Sequence, residues 1–317
     1  MVSAEPDLSV VLGPLTLKNP VLTASGTCGY GEELLPYFEL SRLGGIVTKS
    51  LSILPREGNP PQRLAETPAG MLNSIGLQNV GVDAFITDKL PLLARSGTAV
   101  IPSIFGATTE EFAELAARLD GRPGVAALEL NVSCPNTSRG GVEFGVDPES
   151  TRRVTEAVRH RTKLPVIVKL SPNVTDITLI AGAALDGGAD ILSLVNTLFG
   201  MKVDVEKQRT VLASGSGGLS GPAIRPIAVH LTSRLAQAVR APVMGIGGIG
   251  CAQDALEFIL AGASAVQVGT ATFVDPCAAP KTVEGLREYC RRHEVTAIQE
   301  LVGGIHRNRG GSGRLNA

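Results

Sequence analysis

The 317-residue sequence has no tryptophan, and aromatic residues make up only 3% of it. Stacking platforms for single-stranded nucleic acid need several such rings, so this scarcity weighs against them. No excess of one charge sign exists either: 29 Lys+Arg face 30 Asp+Glu, a formal net charge of −1. That balance removes the global electrostatic footprint of a DNA- or RNA-binding protein. Cysteines number five, at Cys28, Cys134, Cys251, Cys277 and Cys290. Their odd number, wide spacing and lack of a C-x-x-C pair argue against a disulfide framework and against a zinc or iron–sulfur centre within the chain. Long apolar runs are missing too. The uncharged stretch between Glu257 and Asp275 is interrupted by Gly262, Ser264, Gln267, Gly269 and Thr270 and makes a poor bilayer helix. Near the N-terminus, Glu5 and Asp7 stand where a signal peptide would carry basic residues, so a cytoplasmic location is expected.

What is present is apolar content, 44% of the chain, enough for a large core. Short apolar or β-branched runs recur at 20–24, 45–49, 98–103, 125–131, 165–170, 190–196, 242–246 and 264–269. Runs of this length, apolar on both faces, suit strands buried in a parallel sheet. Helical patterns alternate with them at 108–119, 148–163, 174–186, 222–239, 251–261 and 280–293. Eight strands alternating with helices predict a closed (β/α)8 TIM barrel rather than an open doubly wound sheet. The segment 8–17, with a Gly-Pro turn signal, predicts a hairpin plugging the barrel bottom. Two long loops, about 51–78 and about 197–221, exceed plain connections and are expected to be functional. One catalytic domain is expected over 1–305, with a disordered Gly- and Arg-rich tail over 306–317.

Barrel chemistry sits at the C-terminal ends of strands. Those ends carry Ser25-Gly26, Lys49-Ser50, Ser103, Asn131, Lys169, Asn196-Thr197, Gly247-Gly248 and Gly269-Thr270. A lysine closing an apolar strand, twice, is costly unless a buried anion compensates it. The run GIGGIG (245–250) formally matches a dinucleotide fingerprint. It follows the seventh strand, however, and no acidic residue ends the next. A barrel phosphate site built from loops seven and eight and a helix N-terminus fits better, with GSGGLSG (215–221) closing over it. Cys134, inside NVSCPN, sits in a polar loop where a thiol can act as base or nucleophile once nearby charge lowers its pKa; Lys49 is the candidate neighbour. Asn73, Asn131, Asn136 and Asn196 add carboxamides that both donate and accept, which suits a pyrimidine ring.

These blocks together resemble the dihydroorotate dehydrogenases: NPVLTASG (19–26), VTKS (47–50), MLNSIGLQN (71–79), NVSCPN (131–136), VKLSPN (168–173), LVNT (194–197), GGLSG (217–221), GIGGI (245–249) and VGT (268–270). A cysteine in the active-site loop resembles class 1, and GGVEFGVDPE (140–149) resembles subclass B. The resemblance implies oxidation of dihydroorotate to orotate with hydride transfer to FMN in de novo pyrimidine synthesis. It implies Cys134 as the base at C5, with Lys49 and Lys169 also catalytic. Substrate would be held by Lys49, Asn73, Ser74, Ile75, Gly76, Leu77, Asn131, Asn196 and Thr197. FMN would be held by Ser25, Lys49, Ser50, Ser103, Asn131, Lys169, Val195, Gly221, Gly247, Gly248, Gly269 and Thr270. Subclass B further implies a homodimer that associates with a separate subunit carrying FAD and a [2Fe–2S] cluster, which passes electrons to NAD⁺. No metal site is expected in the chain itself. Two other readings share part of this pattern. One is an FMN barrel of the dihydropyrimidine dehydrogenase type, separable by carboxylate recognition. The other is a non-catalytic flavin- or RNA-binding barrel.

Overall fold

The computed structural model describes residues 5–133, 135–136 and 142–309. Eight parallel strands form its centre: β1 Val21–Thr23, β2 Gly45–Val47, β3 in two pieces Ala99–Ile101 and Ser103–Ile104, β4 Leu128–Asn131, β5 Val166–Leu170, β6 Ile191–Leu194, β7 Val243–Ile246 and β8 Ala265–Val268. Pro102 divides β3. The first piece pairs with β2 and the second with β4, so one interrupted strand joins both edges and the sheet closes on itself. Proline has no N–H for the ladder, but its carbonyl still accepts from Glu129 N at 3.0 Å. The expected (β/α)8 barrel is the fold observed.

The strand runs are legible because both faces are covered. All five residues of β5, VIVKL, are buried. Helices Thr109–Leu119, Pro148–Arg159, Ile177–Asp186, Arg225–Ala238, Ala252–Ala261 and Ala278–Arg292 lie close to their expected places. In the first, Thr108 Oγ1 accepts from Glu111 N and caps the start, while Phe112, Leu115, Ala116 and Leu119 bury one face. After β2 the crossover helix is composite, with a π-type turn at Phe85–Lys89 between Val82–Ala84 and Leu90–Leu93.

The N-terminal hairpin, Val10–Leu12 with Leu15–Leu17, turns through Gly13 at φ +58 and Pro14. A Cβ on Gly13 would lie 3.8 Å from the Asp190 carbonyl, at the start of β6. The hairpin therefore covers the N-terminal end of the barrel, with Val10, Leu12, Leu15 and Leu17 buried. The two long loops pair with each other. Leu64–Thr67, Gly70–Asn73, Gly217–Ser220 and Leu198–Gly200 make a four-stranded antiparallel sheet over the opposite mouth. A small apolar cluster of Ala65, Leu72 and Leu212 supports it, separate from the main core.

One boundary differs from expectation. Residues 304–309 form a helix, so the expected disordered tail does not begin at 306. His306 Nε2 lies 3.0 Å from the Ala261 carbonyl and 3.4 Å from Ser233 Oγ, contacts that composition alone does not reveal. Residues 310–317 lie outside the described residues. Among the described residues no helix is long and apolar enough to cross a membrane.

Candidate active site

At the C-terminal ends of the strands, beneath the four-stranded cap, lies a cavity of ≈ 550 Å³. That volume is within the range of small-molecule and cofactor pockets. Its wall includes Ser25, Lys49, Ser50, Asn131, Lys169, Val195, Asn196 and Thr197 from the barrel strand ends. Asn73, Ser74, Ile75, Gly76 and Leu77 come from the cap and the segment after it, and Gly221, Gly247, Gly248, Gly269 and Thr270 form the glycine-rich end.

The polar side chains are connected. Lys169 Nζ donates to Ser25 Oγ at 3.3 Å. Asn131 Nδ2 donates to Ser50 Oγ at 3.4 Å, and Ser50 Oγ is 2.9 Å from Ser103 Oγ. Ser103, expected among the cofactor contacts, is fully buried behind Ser50 and is not part of the cavity wall. Its hydroxyl faces Ser50 at the neighbouring strand end. Asn73 Nδ2 donates to the Gly218 carbonyl at 3.2 Å, which ties the two halves of the cap. Lys49 lies mostly within the wall. Burial lowers its pKa, and the charges of Arg63 and Lys169 push the same way, opposed by Cys28.

At the glycine-rich end Gly247 and Gly248 have φ +130 and +76, conformations that side chains resist. A Cβ on Gly248 would come within 2.8 Å of the Gly221 carbonyl, so the two loops touch backbone to backbone. Thr270 Oγ1 donates to Ser220 Oγ at 2.8 Å and links this end to the cap. The helix after β7 begins at Ala252. Asp254 Oδ2 accepts from Gly250 N at 2.8 Å and Cys251 N at 3.2 Å, so the helix caps itself. Gly245, the first glycine of the fingerprint, lies inside β7 and packs against Phe258.

Cys134 and the loop 137–141 lie outside the described residues, as does the side chain of Asn136. Cys28 is a core thiol, buried and bonded to the Val47 carbonyl, and burial pushes its pKa up to about 11. Among the described residues no group of three or more His, Cys, Asp or Glu side chains could hold a metal ion.

Several wall residues escaped sequence reasoning. Asn173 spans the mouth: its Nδ2 donates to the Thr197 carbonyl at 3.0 Å and its Oδ1 accepts from Phe199 N at 3.1 Å. It ends the VKLSPN block just past β5, a position that could have flagged it. Ser133 and Glu143 also line the cavity. Burial raises the Glu143 pKa. Asn131 Oδ1, Ser133 Oγ and Glu143 Oε2 are buried with no hydrogen-bond partner among the described residues. Unmet polar atoms around a cavity ask for a polar ligand.

The family model for dihydroorotate dehydrogenase matches residues 7–290. The chain belongs to the dihydroorotate dehydrogenase family. It is similar to the dihydroorotate dehydrogenase B (NAD(+)) catalytic subunits of three bacteria. The identity is 54% over 301 residues with that of Geotalea uraniireducens, covering 95% of this chain and 99% of the relative. With Desulforudis audaxviator it is 56% over 302 residues, covering 95% and 98%. With Geobacter sulfurreducens it is 54% over 301 residues, covering 95% and 99%. Within the dihydroorotate dehydrogenase family the cofactor is a flavin, and the donor set here fits one. A polar ring system would find two lysines and the open Asn131 carbonyl there, and a phosphate would find glycine backbone and a threonine.

Proposed function

We propose that this chain is a cytoplasmic dihydroorotate dehydrogenase catalytic subunit, which holds one FMN and oxidises dihydroorotate to orotate in de novo pyrimidine synthesis. The observation that carries this reading is the convergence of Lys49, Lys169, Asn73, Asn131, Asn196 and Thr197 on one cavity of a dihydroorotate dehydrogenase barrel. When bound, FMN supplies the two-electron acceptor.

Ser25, Lys49, Ser50, Asn131, Lys169 and Val195 would hold the flavin ring, and Gly221, Gly247, Gly248, Gly269 and Thr270 its ribityl chain and phosphate. Ser103 would act from behind, by fixing the Ser50 hydroxyl. Dihydroorotate carries a carboxylate, and Lys49 would provide the complementary charge in a setting where water is largely excluded. Asn73, Asn131, Asn196 and Thr197, with the backbone of 74–77, would meet the ring N–H and C=O groups. Cys134 would take the C5 proton, so turnover should rise with pH until the thiol is deprotonated. The names of the relatives specify NAD(+) and a catalytic subunit, which supports a second, electron-transfer subunit; in the same proposal this chain is a homodimer and the second subunit carries FAD and a [2Fe–2S] cluster.

The test uses purified, FMN-loaded protein without air. Dihydroorotate should bleach the flavin and dihydrouracil should not. Cys134→Ala should still bind orotate and FMN, yet lose flavin reduction by at least about a hundredfold, the usual scale for a removed general base. Equal reduction by dihydrouracil would favour the dihydropyrimidine dehydrogenase type, and near-normal reduction in Cys134→Ala would remove that thiol from its role.

A further inference from the structure

Below the cavity, the barrel interior carries a charged group where such interiors are usually filled by branched apolar side chains. Glu129 of β4, Ser193 of β6 and Gln267 of β8 are all fully buried. Glu129 Oε2 accepts from Gln267 Nε2 at 2.7 Å and from Ser193 Oγ at 3.1 Å. Glu129 Oε1 has no hydrogen-bond partner among the described residues, and Lys169 Nζ stands 4.0 Å from it. Lys169 is 5% exposed, belongs to the cavity wall and is tethered to Ser25. The lysine thus stands between a buried carboxylate and the ligand space.

We propose that Glu129 is a positioning residue that keeps Lys169 protonated and aimed at the cavity, so that a bound flavin meets a permanent positive charge. The proposal rests on the flavin reading above and deepens it. An ammonium buried to this degree without a counter-ion loses its proton readily. Glu129 supplies the counter-ion, and Gln267 and Ser193 fix that carboxylate by filling its other oxygen. Among the described residues, two other charged side chains line the same cavity. Lys49 at the end of β2 interacts with it unfavourably, Glu143 is an acid on the same cavity wall, and Ser25 and Asn131 are neutral.

The consequence is a proton count. Two electrons and one proton convert a neutral flavin into a reduced form with one negative charge, which a protonated Lys169 balances without further proton uptake. The midpoint potential of bound FMN should then fall by about 30 mV per pH unit, one proton for two electrons. In Glu129→Gln, Lys169 should be neutral beside oxidised flavin and take a second proton on reduction, which doubles the slope to about 59 mV per pH unit. Adding Lys169→Met to Glu129→Gln removes that site and should restore the single-proton slope. Lys49 and Glu143 are present in both variants, so a proton taken up at either would leave the doubled slope in place in the double variant.

The decisive measurement is a redox titration of the FMN-loaded proteins from about pH 7 to about pH 9. An unchanged slope in Glu129→Gln with FMN retained overturns the proposal. If Glu129→Gln does not hold FMN, thermal unfolding of the flavin-free chains decides. The proposal expects the double variant to melt above Glu129→Gln, because the uncompensated lysine is gone; equal or lower melting overturns it. A wild-type chain that takes up no FMN would refute the functional reading instead, and the unfolding comparison would still judge the ion pair.

Discussion

Lys49 and Cys28 sit within one end of the barrel and illustrate how burial acts on opposite kinds of group. For the thiol, burial favours the neutral form and pushes the pKa up to about 11, so Cys28 should resist alkylation at neutral pH. For the lysine, burial also favours the neutral form, which lowers the pKa. A lysine whose folded pKa lies below its ordinary value of 10.5 binds fewer protons folded than unfolded. Its effect on stability is therefore a penalty at low pH, relieved as pH rises from the depressed value toward 10.5. Anion binding has the opposite sense. Orotate should bind best below the depressed Lys49 pKa and weaken above it, by at most about tenfold per pH unit. Calorimetric titrations across alkaline pH should show this decline, with proton uptake on binding. Lys49→Met should bind orotate at least about tenfold more weakly, with a flat profile over the same range.

The capping sheet is the element on which access to the cavity depends, and it rests on its own small core. Leu72 is 2% exposed within the cluster of Ala65, Leu72 and Leu212. Leu72→Ala should cost about 2 to 4 kcal/mol of local stability. Hydrogen exchange should then quicken in 64–73 and 217–220 while β4 to β8 stay protected, and KM should rise more than kcat falls. This sheet was also the least legible part of the sequence. The barrel strands announced themselves because both faces of VIVKL or AVQV are buried, and the intervening helices because Phe112, Leu115 and Leu119 keep a helical period. The cap strands are three or four residues long and include four glycines, so no periodicity develops, and their pairing partners lie in a distant loop. The break at Pro102 was hidden for another reason: TAVIPS reads as one apolar run, and only the pairing on each side shows two pieces. The lysines and asparagines of the site were legible because polar groups closing apolar strands are conspicuous. The role of Ser103 behind Ser50 depends on side-chain direction, which sequence does not give, and Glu129 inside VAALELN carries no mark that separates it from its strand.

For the whole molecule, the cavity joins the barrel to its cap, so a ligand that fills it should stabilise both. At a hundredfold excess over its Kd, FMN should add about 2.7 kcal/mol. In a chain of 317 residues that corresponds to a rise in melting temperature of roughly 4 °C, measurable by scanning calorimetry with and without flavin. Closure of the barrel and assembly of the cap also differ in when they can happen. The hydrogen bond from Asn73 to Gly218 bridges 145 positions, and the capping strands on its far side follow β6. Contacts of such separation carry a large loop-closure cost and form late. A nascent polypeptide emerging from the ribosome therefore owns Lys49 long before it owns a roof above it, which makes filling of the cavity a late event in the life of each new chain.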